Sequence, residues 1–300
     1  MRVVVSIVWL CLLALQCAVS NAQSVEQVRR KIDVHGVERE YLLLVPTSAS
    51  EAPRALVFNF HGSGGTPERQ LATSGFDRVA GEHGFLAVLP QGAYTNSRSS
   101  RSWNADLDPA GVDDVALVRA IIEDVRRDYR VDPTQVYSTG FSGGARMTSM
   151  LACQLSDELA AVAPVAGIQF SEQCRPSRAL PVLTFHGKAD RVNHYVPNED
   201  SAPYWVSSVE ESVRHWVEAD QCNSAMPQER RLTSTVTHRV WDGCANGANV
   251  EFYLIDDGGH TWPGSALVAS SERSGATNQE LDASELIWQF FSRHRLAAPD

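Results

Sequence analysis

Positive charge is scarce in this 300-residue sequence: 26 lysines and arginines stand against 36 aspartates and glutamates, for a formal net charge of −10. No basic run or arginine-rich stripe occurs, so neither nucleic acid nor an anionic membrane surface is an expected partner. The cysteines show no C-x-x-C spacing, which argues against a zinc site. There is no H-E-x-x-H and no phosphate loop G-x-x-x-x-G-K-[ST], and Gly62 and Gly64 lack the third glycine of a dinucleotide fingerprint. No metal or cofactor is expected. Internal repeats, low-complexity tracts and a Pro/Ser-rich linker long enough to divide the chain are also missing, so a single domain over residues 23–300 is predicted.

What is present begins with Arg2, an apolar run from Val3 to Val19, and the small residues Ser20 and Ala22. That layout predicts a secretory signal peptide over residues 1–22, with an uncleaved membrane anchor as the alternative. Cleavage removes Cys11 and Cys17 and leaves Cys153, Cys174, Cys222 and Cys244. An even number in an exported chain predicts two disulfides in a secreted or periplasmic protein. Of the three connectivities, Cys153 with Cys174 and Cys222 with Cys244 close the shortest loops, and closures of that length stabilise by roughly 3 kcal/mol.

Further along, Arg39–Pro46, Arg54–Phe60 and Phe85–Pro90 are strand-like, the second nearly continuous in apolar residues as buried central strands are. Asp113–Arg127 carries Val115, Val118, Ile122 and Val125 at helical spacing behind a capping aspartate. Apolar runs at 135–140, 159–167, 179–186 and 250–255 alternate with helical stretches at 145–155, 206–219 and 282–294. Strands alternating with helices predict an α/β fold, a mostly parallel sheet covered on both faces.

The run VYSTGFSGGARM, Val136 to Met147, sets Ser142 between glycines at the end of a strand pattern and the start of a helical one. G-x-S-x-G in that context is a nucleophile elbow, in which a strained turn lifts the serine hydroxyl above the sheet edge. A serine nucleophile needs a base and an orienting carboxylate, in chain order serine, acid, histidine. Asp190 in HGKAD and His260 in DDGGHTWPG both follow strand patterns and complete that order, with Glu199 and Asp200 as the competing carboxylates. His194 lies too near Asp190, His238 falls in an alternating strand, and His294 reads as surface on the last helix. HGSGG, following ALVFNF, is placed to supply half an oxyanion hole, with one amide from Ser63 and the other from Gly143. Trp103 and Trp262 are loop aromatics suited to wall a flat or apolar acyl group.

With HGSGG at His61, LPQG at Leu89, SWN at Ser102, VDDV at Val112, GFSGG at Gly140, HGKAD at His186 and GHTWPG at Gly259, nearly all the mature chain resembles one group. These are the secreted α/β-hydrolase esterases called polyhydroxybutyrate depolymerase-like and feruloyl esterase-like, carbohydrate esterase family one. The resemblance implies Ser142 as nucleophile, Asp190 as acid, His260 as base and an oxyanion amide near Ser63. Ser63 stands where some depolymerase relatives carry cysteine, and the separate polymer-binding domain of extracellular depolymerases is not found. The expected function is a secreted serine carboxylesterase acting on small or polysaccharide-linked esters, feruloyl or a similar hydroxycinnamoyl ester foremost. Polyester depolymerase and acetylxylan esterase are the enzymatic alternatives; a catalytically silent, glycan-binding hydrolase fold is the alternative of another class.

Overall fold

In chain order the elements are β1 (Val25–Val34), β2 (Val37–Pro46), β3 (Arg54–Phe60), α1 (Pro67–Ser74), α2 (Phe76–His83), β4 (Leu86–Pro90), β5 (Tyr94–Thr95), β6 (Arg101–Ser102), α3 (Asp114–Asp128), β7 (Val131–Phe141), α4 (Gly143–Gln154), β8 (Ala161–Val165), β9 (Val182–Gly187), α5 (Val209–Ala219), β10 (Gln228–Arg231), β11 (Val236–Trp241), β12 (Val250–Ile255) and α6 (Ala283–Phe291). The structure is a computed structural model that describes residues 24–48, 51–95, 101–223, 226–267 and 272–297. The predicted signal segment lies outside the described residues. Among the described residues no helix is long and apolar enough to cross a membrane.

A ten-stranded sheet runs in the order β1-β2-β4-β3-β7-β8-β9-β12-β11-β10. From β4 to β12 every neighbouring pair is parallel, and antiparallel pairs flank both sides. Parallel neighbours need crossover connections; helices lie in all of them except the β8–β9 link, and they cover both faces. Leu56 and Phe58 of β3 point to the face covered by α3, α4 and α5, where Ile121, Leu151 and Trp216 pack. Val57, one residue out of phase, points to the other face with Phe76 of α2 and Ile287 of α6.

Side chains mark the starts of α3, α5 and α6. Asp113 accepts from the Ala116 amide ahead of α3, Asp282 caps α6 in the same way, and Ser208 with Glu211 forms a capping box that starts α5. The last helix ends at Phe291, so His294 lies beyond it. Its ring packs on Phe290 and its Nε2 is buried with no partner among the described residues, rather than lying on the surface. The two disulfides join Cys153 to Cys174 and Cys222 to Cys244, the pairing expected from loop length.

Candidate active site

Strand β7 ends at Phe141 and α4 begins at Gly143, leaving Ser142 between them with φ 56° and ψ −114°. A residue with a side chain held at positive φ costs on the order of 1–3 kcal/mol, and the surroundings must enforce it. Here the Ser142 amide donates to the Val165 carbonyl of β8 at 2.9 Å, and the Ser142 carbonyl accepts from the Ala145 and Arg146 amides of α4. Gly140 is what lets strand and helix meet: a Cβ there would lie 2.5 Å from the Gly144 carbonyl oxygen.

Asp190 and His260 stand in the loops that follow the parallel neighbours β9 and β12. His260 Nε2 is 2.7 Å from Ser142 Oγ, and His260 Nδ1 is 2.7 Å from Asp190 Oδ2. The second carboxylate oxygen, Oδ1, accepts from the Val192 and Asn193 amides at 2.8 Å each, which fixes the carboxylate plane. Burial alone would raise the Asp190 pKa. The hydrogen bond with and charge of His260, helped by His186 and the Val192 amide, outweigh it and hold the carboxyl below its usual range. A second buried histidine therefore stands behind the acid. His186 Nε2 lies 2.9 Å from the Asn193 carbonyl and 3.5 Å from Asp190 Oδ2, while Nδ1 has no partner among the described residues. Burial lowers the His186 pKa more than Asp190 raises it, so the ring is neutral and Nε2 carries its proton.

The loop after β3 is clamped by His61. Its Nδ1 donates to the Gly62 carbonyl at 2.7 Å, and Nε2 accepts from the Gly92 amide at 3.0 Å and the Gln91 side chain at 2.9 Å. Two donors converging on Nε2 leave no room for a second proton. Burial, with the positive charge of Arg101 adding, pushes this imidazole down to about 4. The clamp sets Ser63 against the helix start: a Cβ on Gly143 would fall 2.9 Å from Ser63 N and 2.4 Å from Ser63 Oγ. Behind it, Arg39 donates to Asp114 at 2.7 Å and to the Gln91 carbonyl, and Asp114 accepts from the Asn104 amide at 2.7 Å. Gln91 of LPQG, Trp103 and Asn104 of SWN and Asp114 of VDDV thus form one buried scaffold under the HGSGG loop.

Ser142, His260 and Ser63 open into a cleft of about 710 Å³ walled by Phe141, Tyr204 and Trp262. Its size falls within the common range for small-ligand sites. Trp262, although only 2% exposed, lines it and donates to Ser284 Oγ at 3.0 Å. Trp103 does not line it. Its indole is 3% exposed, packs edge-on against Phe60 and donates to the His61 carbonyl at 2.7 Å, so its place is in the scaffold rather than at the substrate. Tyr204 is not marked in the sequence, since a tyrosine in a polar loop carries no motif. A larger hollow of about 960 Å³, among Arg119, Arg178, Arg295 and Leu296 beside the start of β7, contains none of these groups.

A serine elbow on a parallel sheet covered on both faces, with a histidine and an aspartate in later strand-end loops, defines an α/β-hydrolase fold. Residues 39–225 match the family model described as esterase PHB depolymerase, and the chain belongs to that family of esterases. It is 30% identical over 287 residues to the putative esterase NocK of Nocardia uniformis subsp. tsuyamanensis, spanning 87% of this chain and 81% of that protein. Against feruloyl esterase B of Piromyces equi it is 27% identical over 214 residues, 68% of this chain but only 39% of that longer protein. Among solved structures, the acetyl xylan esterase from Aspergillus awamori superposes with a TM-score of 0.57 at 17% identity, over 78% of this chain and 94% of that one, a likeness of fold.

Proposed function

We propose that the chain is a secreted serine carboxylesterase in which Ser142 is the nucleophile, His260 the general base and acid, and Asp190 the carboxylate that orients the imidazole. The observation that carries this reading is the pair of 2.7 Å contacts from the two nitrogens of His260, one to each partner. His260 Nε2 takes the proton as Ser142 Oγ bonds to the ester carbonyl carbon, and the negative charge on the carbonyl oxygen is met by the amides of Ser63 and Gly143. Collapse expels the alcohol, which leaves with the proton from Nε2. Water, deprotonated by the same nitrogen, then releases the acid and restores the serine. Every proton and bond in this cycle is handled by the chain's own groups.

The preferred substrate is a feruloyl or related hydroxycinnamoyl ester on plant cell-wall polysaccharide. Support comes from the relatives named feruloyl esterase and from a cleft whose walls include Phe141 and Trp262, which suit a flat aromatic acyl group. The reading extends to one catalytic domain over residues 23–300, exported by the segment at residues 1–22, in keeping with two disulfides. Hydrolysis of methyl ferulate by the purified protein tests it, with Ser142→Ala as control. The parent should turn over and the variant should lose on the order of 10⁴-fold or more in kcat. A variant as fast as the parent would end the assignment, and a parent that cleaves p-nitrophenyl acetate but not methyl ferulate would end the feruloyl preference alone.

A further inference from the structure

Tyr204 is shared by two hollows. It walls the catalytic cleft and also borders an adjoining groove of about 620 Å³ that contains Phe170, Glu172, Gln173 and Val206. A third hollow, of about 390 Å³, continues from that groove through Asp106, Gln169 and Gln173. The track therefore leads from the serine outward across the surface, far beyond what an acyl group of ferulate size needs.

The junction is rigidly built. Arg146, on the first turn of α4 after Ser142, reaches out with Nε to Gln169 Oε1 at 2.9 Å and with a terminal nitrogen to Asp106 Oδ1 at 2.5 Å. Its guanidinium carbon sits 3.9 Å from the centre of the Tyr204 ring. Gln169 completes the frame by donating from Nε2 to the Tyr204 carbonyl at 2.9 Å. With a cation across one face, the residue is still 42% exposed, and it borders both hollows.

The lining has a defined chemical character. Asp106 and Glu172 offer carboxylate oxygens, which only accept, and Gln173 offers an amide that does both. The positive charge of Arg146 is committed to Asp106, so among the described residues lining the groove no unpaired Lys or Arg invites an anionic polymer. A polyester repeat brings only acceptor oxygens and would face those carboxylates unpaired. Sugar rings bring hydroxyl donors for the carboxylates and C–H faces for an exposed tyrosine.

We propose that this groove holds the main chain of the neutral polysaccharide that carries the ester, with Tyr204 stacking the sugar next to the scissile bond. The proposal rests on the esterase reading above and selects polysaccharide over polyester as its polymer. Its test uses Ser142→Ala in native electrophoresis through soluble arabinoxylan, together with methyl ferulate and a feruloylated arabinoxylan oligosaccharide as substrates for the active protein. The Ser142→Ala protein should be retarded by the polysaccharide, and adding Tyr204→Ala should weaken that retention by about threefold to tenfold. Gln173→Ala and Val206→Asp, both on exposed positions of the groove remote from the serine, should raise KM on the oligosaccharide while leaving methyl ferulate turnover within about twofold. Absence of retardation, or equal losses on both substrates, overturns the groove assignment even if methyl ferulate is cleaved. A protein that binds arabinoxylan yet cleaves no ester leaves the groove standing and fails the esterase reading instead.

Discussion

The indole nitrogen of Trp103 donates to the backbone carbonyl of His61 at 2.7 Å, which ties the SWN motif to the first residue of the loop that carries Ser63. Both residues are buried, and His61 in turn holds Gly62, Gln91 and Gly92. The loop is therefore fixed from behind before any substrate arrives, which is the condition for electrostatic stabilisation without reorganisation.

Trp103→Phe keeps most of the ring packing and removes the donor. The stranded carbonyl should cost about 1–3 kcal/mol of stability. In steady-state kinetics kcat should fall, by roughly tenfold for each 1.4 kcal/mol of lost transition-state stabilisation, with KM for a small ester little changed. A variant that raises KM while kcat holds would return Trp103 to the substrate wall.

Gly143 faces Ser63 so closely that no side chain fits without displacing the serine. Gly143→Ala should lower kcat by about 10²–10³, the cost of losing one oxyanion donor. Thermal stability should fall as well, because the Ser63 hydroxyl can rotate away but the Ser63 backbone nitrogen, 2.9 Å from the added Cβ, can move only with its loop. Adding Ser63→Ala removes the oxygen at 2.4 Å but not the amide at 2.9 Å, so it should restore part of the rate. No recovery in the double variant, with the fold intact, would place the damage elsewhere.

Asp220 supplies a pH test. Its Oδ1 accepts from the Leu180 amide at 2.9 Å, Oδ2 has no partner among the described residues, and burial pushes the carboxyl up to about 7 against the pull of that amide and Arg178. The folded state thus binds more protons than the unfolded chain between pH 3.8 and about 7, and this group's contribution to stability falls as pH rises through that window. His61 and His294, both held down to about 4, give the opposite slope below their unfolded value of 6.5. The difference between Asp220→Asn and parent cancels those histidines. The melting temperature of the variant should gain on the parent from pH 4 to about pH 7 and level off above it, and a gap independent of pH would contradict the buried charge.

Much of this architecture is readable from residues because the parallel strands are buried on both faces and stand out as apolar runs. The elbow is readable because only glycine tolerates the approach at Gly140, and the loop histidine and aspartate follow because they sit just past such runs. Strand β1 escapes the reading: it is an edge strand whose Arg29, Arg30 and Lys31 face solvent or ion pairs, so no apolar run marks it. Helices α1 and α2 are eight residues each, too short for a periodic stripe to stand out. Trp103 leaves the substrate wall expected of it, and Tyr204, for which no role was expected, stands there instead, for a reason that no spacing encodes. One ring is drawn inward by a carbonyl in need of a donor, the other held outward by a guanidinium from a neighbouring element.

Reaction with a fluorophosphonate followed by peptide mapping tests Ser142 most directly, since that reagent reports a serine whose hydroxyl is activated by a neighbouring base. A single adduct is expected on Ser142, absent from Ser142→Ala and formed far more slowly in His260→Ala. An intact protein that stays unlabelled, or one that carries the adduct on another residue, would contradict it.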